Sequence, residues 1–397
     1  MAEAYHVSKH IVYLGETGFP YGLAPIQRQI LISLGLVDAG VQVLVISNKG
    51  VFPADGSIQL SPRGSYRGIE YIYTSGETHR RPQFWLRNWL KIKGFIKELT
   101  LLVHLKRTGK IDAAIVASMR FQSIFYYFLI SRLLRFKVLL SYVEYSGSIS
   151  TRSKWRDRVN DFLIDRYGIG CADAVLPISH FLQQHVSERY PQQKQLKVPI
   201  VGDFSTHLSA EDNAEVYFLY CGSANYYELI DFIIQAFEKL DREDAYLHLV
   251  VSGDAYDINR FQSRLGSSSK KHWIRVFSRI PFTELLKKYR QAAGLLIPLR
   301  NTIQDVARFP HKIGEYLASG VPIITTNFGE IAQYFHDGTD AIICDQFNPV
   351  LYAEKMKYVL QNPVQAKQIG EAGRKLGSEK FDYRIHGSAL SKFILTL

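Results

Sequence analysis

Apolar positions along the chain fall into short runs separated by longer segments of helical period. The first run, over 11–14, leads into a glycine-rich segment, Gly15-Glu-Thr-Gly18-Phe-Pro-Tyr-Gly22, then an amphipathic stretch over 25–36 and a second apolar run over 41–46. Short runs with no polar alternation are expected of strands buried on both faces, so this order predicts a strand, turn, helix and strand forming one βαβ unit. Pro25 suits a first helical turn and Gly40 its stop. Further buried strands are predicted over 113–117, 138–142 and 174–178.

Residues 197–213 mix Pro, Gly, Ser, Asp and Asn with little periodicity and are expected to link two domains. Beyond them the alternation restarts, with strands over 216–221, 246–251, 273–277, 295–297, 322–325 and 341–344 and helices over 229–240, 258–265, 282–292, 312–318 and 350–360. The pattern predicts an α/β protein of two Rossmann-like, doubly wound domains facing across a cleft, with ligands at the carboxyl ends of the strands.

Composition narrows the class. The 397 residues are 47% hydrophobic and 21% charged, which excludes disordered, collagen-like and coiled-coil chains and allows two full cores. Cys171, Cys221 and Cys344 lie far apart, with no spacing for a bound metal, and fit a reducing cytosol. The strongest apolar run, 124–130, is too short to span a membrane, and residues 1–10 lack a secretory pattern, so a cytoplasmic protein is expected.

Charge is uneven: residues 1–200 hold 26 Lys and Arg against 14 Asp and Glu, whereas residues 201–397 hold 22 against 23. The excess is densest over Arg80 to Lys110, where nine cations surround Glu98 and are interleaved with Phe84, Trp85, Trp89 and Phe95. Such a stretch reads as a solvated amphipathic helix, a nucleic-acid face or a helix that docks on anionic lipid. No nucleic-acid motif accompanies it. The series Asp157, Asp161 and Asp165 has helical spacing, and the arginines beside it favour a solvated helix face over a metal site.

The candidate chemistry is concentrated in Arg308-Phe-Pro-His311-Lys312-Ile-Gly-Glu315-Tyr-Leu-Ala-Ser-Gly320-Val-Pro-Ile-Ile-Thr325. Lys312 and Glu315 share one helix face; a carboxylate there can accept hydrogen bonds from a vicinal diol, and a nearby cation can neutralise phosphate. The same spacing also makes an ordinary ion pair. With Asp337-Gly338 and Ile369-Gly-Glu-Ala-Gly373-Arg-Lys, this region resembles the donor-binding part of retaining glycosyltransferases of the GT-B fold; the opening βαβ unit and Gly170-Cys-Ala-Asp-Ala-Val-Leu-Pro-Ile-Ser179 also look like that family.

The resemblance implies that Glu315 binds the ribose hydroxyls of a nucleotide sugar. It implies domains over 1–203 for the acceptor and 204–380 for the donor, with the tail, 381–397, packing back on the first. It also implies transfer with retention and without a metal or other cofactor, to a hydroxyl of a glycan or lipid-linked acceptor in polysaccharide or lipopolysaccharide assembly. Lipid-linked acceptors favour the lipid reading of Arg80 to Lys110, hence an enzyme peripheral on the inner face of the membrane.

Two family features are missing: the first carboxylate of a Glu-x7-Glu pair is replaced by Ala307, and the segment Gly222-Ser-Ala-Asn-Tyr-Tyr-Glu228 lacks the diphosphate-binding cations. Arg308 and Lys312 are nominated in their place. Gly22, in the loop before the first helix, is a further donor contact. Glu16 and Arg120 are acceptor candidates, and Glu144 and His311 catalytic ones. A nucleotide-sugar-binding scaffold without turnover and a sugar-nucleotide epimerase are the alternatives.

Overall fold

The computed structural model describes residues 9–55, 58–149, 152, 154–205, 215–241, 245–253, 255–278 and 280–397. The chain divides into two compact units, Met1–Val201 with Tyr383–Leu397, and Gly202–Asp382. In the first, the elements run β1 (His10–Leu14), α1 (Ala24–Asp38), β2 (Gln42–Ser47), β3 (Arg63–Tyr66), β4 (Ile69–Tyr73), α2 (Phe84–Arg107), β5 (Ala113–Val116), α3 (Phe121–Leu134), β6 (Lys137–Tyr142), α4 (Trp155–Leu163), β7 (Ala174–Pro177), α5 (His180–Arg189) and β8 (Lys194–Gln195). Their sheet has the order β3-β4-β2-β1-β5-β6-β7-β8, parallel except for the β3–β4 pair.

The direction of winding reverses between β1 and β5, which opens a crevice at the carboxyl ends of those strands. Gly15, just after β1, has φ +92°, and a Cβ there would lie 2.4 Å from the Ala117 carbonyl oxygen beyond β5. Only glycine permits that approach.

The β3–β4 hairpin was not anticipated from the sequence. Its signal is Arg67-Gly68, a two-residue turn with both φ positive, at +52° and +84°. The alternation in β4 then buries Ile69, Tyr71 and Tyr73. Two expectations are corrected. Residues 197–201 are core rather than linker: Val198, Ile200 and Val201 are buried, and the buried Arg28 guanidinium donates to the carbonyls of Val198 and Pro199, each at 2.6 Å. Gly202 and Phe204 are buried as well, and the rest of that predicted linker, 206–213, lies outside the described residues. The aspartates of α4 and the turn after it do not form a solvated face, because Asp161 is buried and bonded twice by Arg152, at 2.5 and 3.1 Å, and Asp165 meets His185 at 2.6 Å.

The second unit contains β9 (Tyr217–Ser223), α6 (Tyr227–Glu238), β10 (Tyr246–Ser252), α7 (Ala255–Gly266), β11 (Ile274–Phe277), α8 (Phe282–Gln291), β12 (Gly294–Ile297), α9 (Ile303–Ala307), α10 (Lys312–Ser319), β13 (Ile323–Thr326), α11 (Ile331–Tyr334), β14 (Ile342–Cys344), α12 (Pro349–Gln361) and α13 (Pro363–Lys380). Its sheet, β11-β10-β9-β12-β13-β14, is wholly parallel and has the doubly wound order with its reversal between β9 and β12. The expected α/β class with two Rossmann-like units is present.

The last helix, α14 (Tyr383–Leu395), belongs to the first unit and crosses α1 where two glycines meet. A Cβ on Gly387 would fall 2.1 Å from the Gly35 carbonyl carbon. No helix among the described residues is long and apolar enough to cross a membrane.

Candidate functional site

In the second unit, β9 ends at Cys221-Gly222-Ser223 and β12 is followed by Leu299 and Arg300, so these segments border the crevice made by the reversal in strand order. Helix α10 starts with Lys312, and Gly320, with φ +74°, caps its end in the left-handed conformation. Ile313, Tyr316 and Leu317 pack inward. Tyr316 is fully buried and accepts a hydrogen bond at its hydroxyl from the backbone N–H of Cys221, at 2.9 Å, which ties the helix to the end of β9.

Glu315 stands on the more open side of α10. Its Oε2 accepts from Lys312 Nζ at 2.8 Å and from the Tyr289 hydroxyl at 3.1 Å. The i,i+3 ion pair therefore exists, but it is not an ordinary surface pair, since the side chains of Lys312 and Glu315 are only 23% and 14% exposed. Burial works to discharge Lys312, yet the Glu315 carboxylate holds its ammonium above the ordinary lysine range. Burial alone pushes the Tyr289 phenol well up, and Glu315 adds to it, so this hydroxyl is a firm donor.

Arg308 is only partly available. Its guanidinium meets Asp305 Oδ1 at 2.7 Å and lies 4.3 Å from the centroid of the Tyr226 ring. Asp305 is completely buried on α9 and also accepts from the backbone N–H and Nε of Arg300, at 2.9 and 2.7 Å, while Arg300 reaches on to Glu228. Two arginines thus share one buried carboxylate beside the crevice. Ala307, at the position of the missing family carboxylate, is fully buried. His311 caps the start of α10 and is partly buried.

The first-unit candidates all follow carboxyl ends of strands. Glu16 comes after β1; burial raises its carboxyl pKa against the opposing effects of the Thr17 backbone N–H and Lys49. Gly22 is exposed just ahead of α1, and its carbonyl accepts from Gln27 Nε2 at 3.3 Å. Arg120 is exposed after β5 and caps α3, and Glu144 is half-buried after β6.

Sequence reasoning missed Tyr289, Asp305 and Lys49. Tyr289 arrives from α8 by tertiary packing and leaves no local signal. Asp305 was legible in principle, as an acid three residues after Thr302, whose Oγ1 accepts from the Asp305 N–H at 3.3 Å. Lys49 follows the carboxyl end of β2, in the position that the doubly wound rule reserves for ligands.

Residues 206–376 match the family model "Glycosyl transferases group 1". Among curated proteins, an uncharacterized glycosyltransferase of Methanocaldococcus jannaschii is 20% identical over 55% of this chain and 58% of its own length. A glycogen synthase of Mycobacterium tuberculosis is 23% identical over 45% of this chain and 42% of its own. The chain spans about half the length of these curated relatives. Among solved structures, a sucrose-phosphate synthase from Thermosynechococcus elongatus superposes with a TM-score of 0.75 at 15% identity, covering 98% of this chain and 99% of that one. Anabaena HepE in complex with UDP-glucose gives 0.68 at 11%, covering 98% and 99%. The chain therefore has the fold of the GT-B glycosyltransferases, and residues 206–376 of its second unit match the glycosyl transferases group 1 model.

Proposed function

We propose that this protein is a retaining glycosyltransferase that moves a sugar from a nucleoside diphosphate to a hydroxyl of a glycan or lipid-linked acceptor. The observation that supports this most is the Glu315 carboxylate, set at the strand-order reversal of the matched domain, with Tyr289 and Lys312 both on one of its oxygens. The other oxygen takes neither contact and can accept from a ribose diol. Arg308 and Lys312 supply positive charge for the diphosphate, with Arg300 as a third cation beside them. The ion pairs that now hold these side chains keep the crevice close to neutral, and the incoming anion competes with Glu228, which is 71% exposed, more readily than with buried Asp305.

In this reading no metal is used: the bond between the anomeric carbon and the diphosphate oxygen breaks, the acceptor oxygen bonds that carbon, and the diphosphate takes the acceptor proton. In the first unit, Gly22 is the backbone assigned to phosphate, Glu16 and Arg120 are assigned to the acceptor and Glu144 to the reacting groups; in the second unit, His311 is the catalytic candidate. Neighbours of the same fold were solved with UDP and with UDP-glucose, which makes uridine the first base to test.

Calorimetric titration with uridine, guanosine, adenosine and cytidine diphosphates tests the donor site. One series should bind, and Glu315→Ala should weaken it tenfold or more, the loss of roughly 1.5 to 3 kcal/mol for hydrogen bonds to a charged group. Absence of binding to folded protein would sink the reading, and binding without transfer would favour a scaffold.

We further infer that the first unit docks on anionic membrane. Helix α2 exposes Trp85 and Trp89, α3 exposes Phe125, Leu129 and Leu133, and α4 exposes Trp155, Val159 and Phe162. Each set has the spacing of one helix face, and α2 and α3 touch through Phe95 and Tyr126, whose ring centroids are 4.4 Å apart. Arginines and lysines flank the aromatics, as an interfacial surface requires. Trp85→Ser with Trp89→Ser should abolish cosedimentation with phosphatidylglycerol vesicles; equal sedimentation of wild type and variant would remove this inference.

A further inference from the structure

At the carboxyl edge of the first unit's sheet lies a cavity of about 270 Å³ that the donor reading does not use. Five cations line it, Lys49 from the loop after β2, Arg80 and Arg81 from the segment before α2, and Arg87 and Lys91 from α2 itself. No aspartate or glutamate is among its lining residues. Arg81 is held by Glu77 at 2.8 Å, and the other four carry no ion pair to an acid among the described residues.

The walls are fixed in advance. The backbone N–H groups of Val51 and Phe52 donate to the Thr78 carbonyl at 2.9 and 3.2 Å, and that of Arg80 donates to the Phe52 carbonyl at 2.8 Å. A Cβ on Gly50 would fall 2.5 Å from the His79 carbonyl oxygen, so the two segments close up only with glycine there. The His79 ring is occupied in this scaffold, with Nε2 at 2.7 Å from the Ile58 carbonyl oxygen and Nδ1 at 3.1 Å from Thr78 Oγ1. Arg87 and Lys91 are one turn apart near the start of α2, whose first turn holds no acid to offset the positive end of the helix.

Like charges held together cost stability unless something compensates them. Burial lowers the Lys49 pKa, and Arg120, Lys91 and Arg80 lower it further. Glu16 works in the opposite direction, so the acceptor candidates Glu16 and Arg120 both lie within electrostatic range of Lys49. Two arginines and two lysines left without acids form a site matched to phosphate oxygens. The volume falls below the roughly 300 to 1,000 Å³ of pockets that engulf drug-sized ligands, which suits a phosphate or diphosphate group rather than an entire nucleotide sugar.

We propose that this cavity binds a phosphate or diphosphate group carried by the glycosyl acceptor, so that the substrate to be extended is a phosphorylated sugar or a lipid-linked glycosyl diphosphate. The proposal rests on the first unit being the acceptor-binding unit of a glycosyltransferase.

The test uses the full chain and the pair Arg80→Gln with Lys91→Gln, both exposed positions that the fold tolerates. Binding of glucose 6-phosphate, glucose and citronellyl diphosphate is measured by calorimetry, with UDP as the donor-site probe. A phosphorylated probe should bind wild type and lose tenfold or more in the double variant, while glucose binds neither and UDP affinity is unchanged. Preference for glucose 6-phosphate assigns a soluble acceptor; preference for citronellyl diphosphate assigns a lipid-linked one. If neither phosphorylated probe binds, or both bind wild type and variant equally while UDP binds normally, the cavity proposal falls and the donor reading stands. If the phosphorylated probes bind but none of the uridine, guanosine, adenosine and cytidine diphosphates does, the glycosyltransferase reading fails and the acceptor role of the cavity fails with it.

Discussion

Tyr289 donates its hydroxyl to Glu315 Oε2 at 3.1 Å, bringing the end of α8 onto the open side of α10. The bond aims the carboxylate and shares the oxygen that Lys312 already occupies at 2.8 Å. Tyr289→Phe removes the donor and keeps the ring. Nucleoside diphosphate affinity should fall by about fivefold, near 1 kcal/mol, and by less than in Glu315→Ala. Calorimetry on the two variants ranks them, and the opposite order would show that Tyr289 positions something other than the carboxylate.

Asp305 is buried between Arg300 and Arg308. Asp305→Ala leaves two largely buried guanidinium groups without their shared counterion, and breaking such a pair costs about 3 to 5 kcal/mol. Urea unfolding should move to lower midpoint with an unchanged slope. Arg300→Gln, which leaves Arg308 on the carboxylate, should cost less.

Glu98 sits buried on the inner face of α2 near Tyr127 and Asn48, and burial pushes its carboxyl up to about 7. The folded pKa lies above the unfolded one, so the protonated acid stabilises the fold fully below about pH 4.5 and that contribution is lost as pH rises through 7. The change amounts to roughly 3 kcal/mol. Glu98→Gln should be more stable than wild type at pH 8 and nearly equal at pH 4.5, a difference that thermal melts at the two pH values will show.

Gly35 and Gly387 let α1 and α14 cross in backbone contact. Gly387→Ala puts a methyl group where the Gly35 backbone already is, and overpacking of this kind costs about 1 to 3 kcal/mol or more. The first unit should melt several degrees lower. Nucleotide binding by the second unit should persist, which separates this variant from one that unfolds the whole chain.

The helix start at Lys312 and the stop at Gly320 were legible because capping and period are local properties of adjacent residues. The strand runs were legible for the same reason: parallel strands covered on both faces must be continuously apolar. The β3–β4 hairpin is marked by Arg67-Gly68 and the alternation of β4, a weaker pattern than the buried, non-alternating runs of the other strands. Residues 197–201 looked like linker because Pro199 interrupts and Gly202 follows their few apolar side chains, and Arg28, from far along the chain, satisfies the carbonyls of Val198 and Pro199.

The chain by itself determined two doubly wound α/β units and the helix that carries Lys312 and Glu315, since hydrophobic period, caps and i,i+3 spacing all act over a single element. Tertiary structure alone decided that Tyr289 would meet Glu315, that Asp305 would hold two arginines, and that Lys49 would join Arg80, Arg87 and Lys91 around one cavity. Those groups come from separate elements, and the distances between them depend on how strands and helices pack, which no spacing along the sequence encodes.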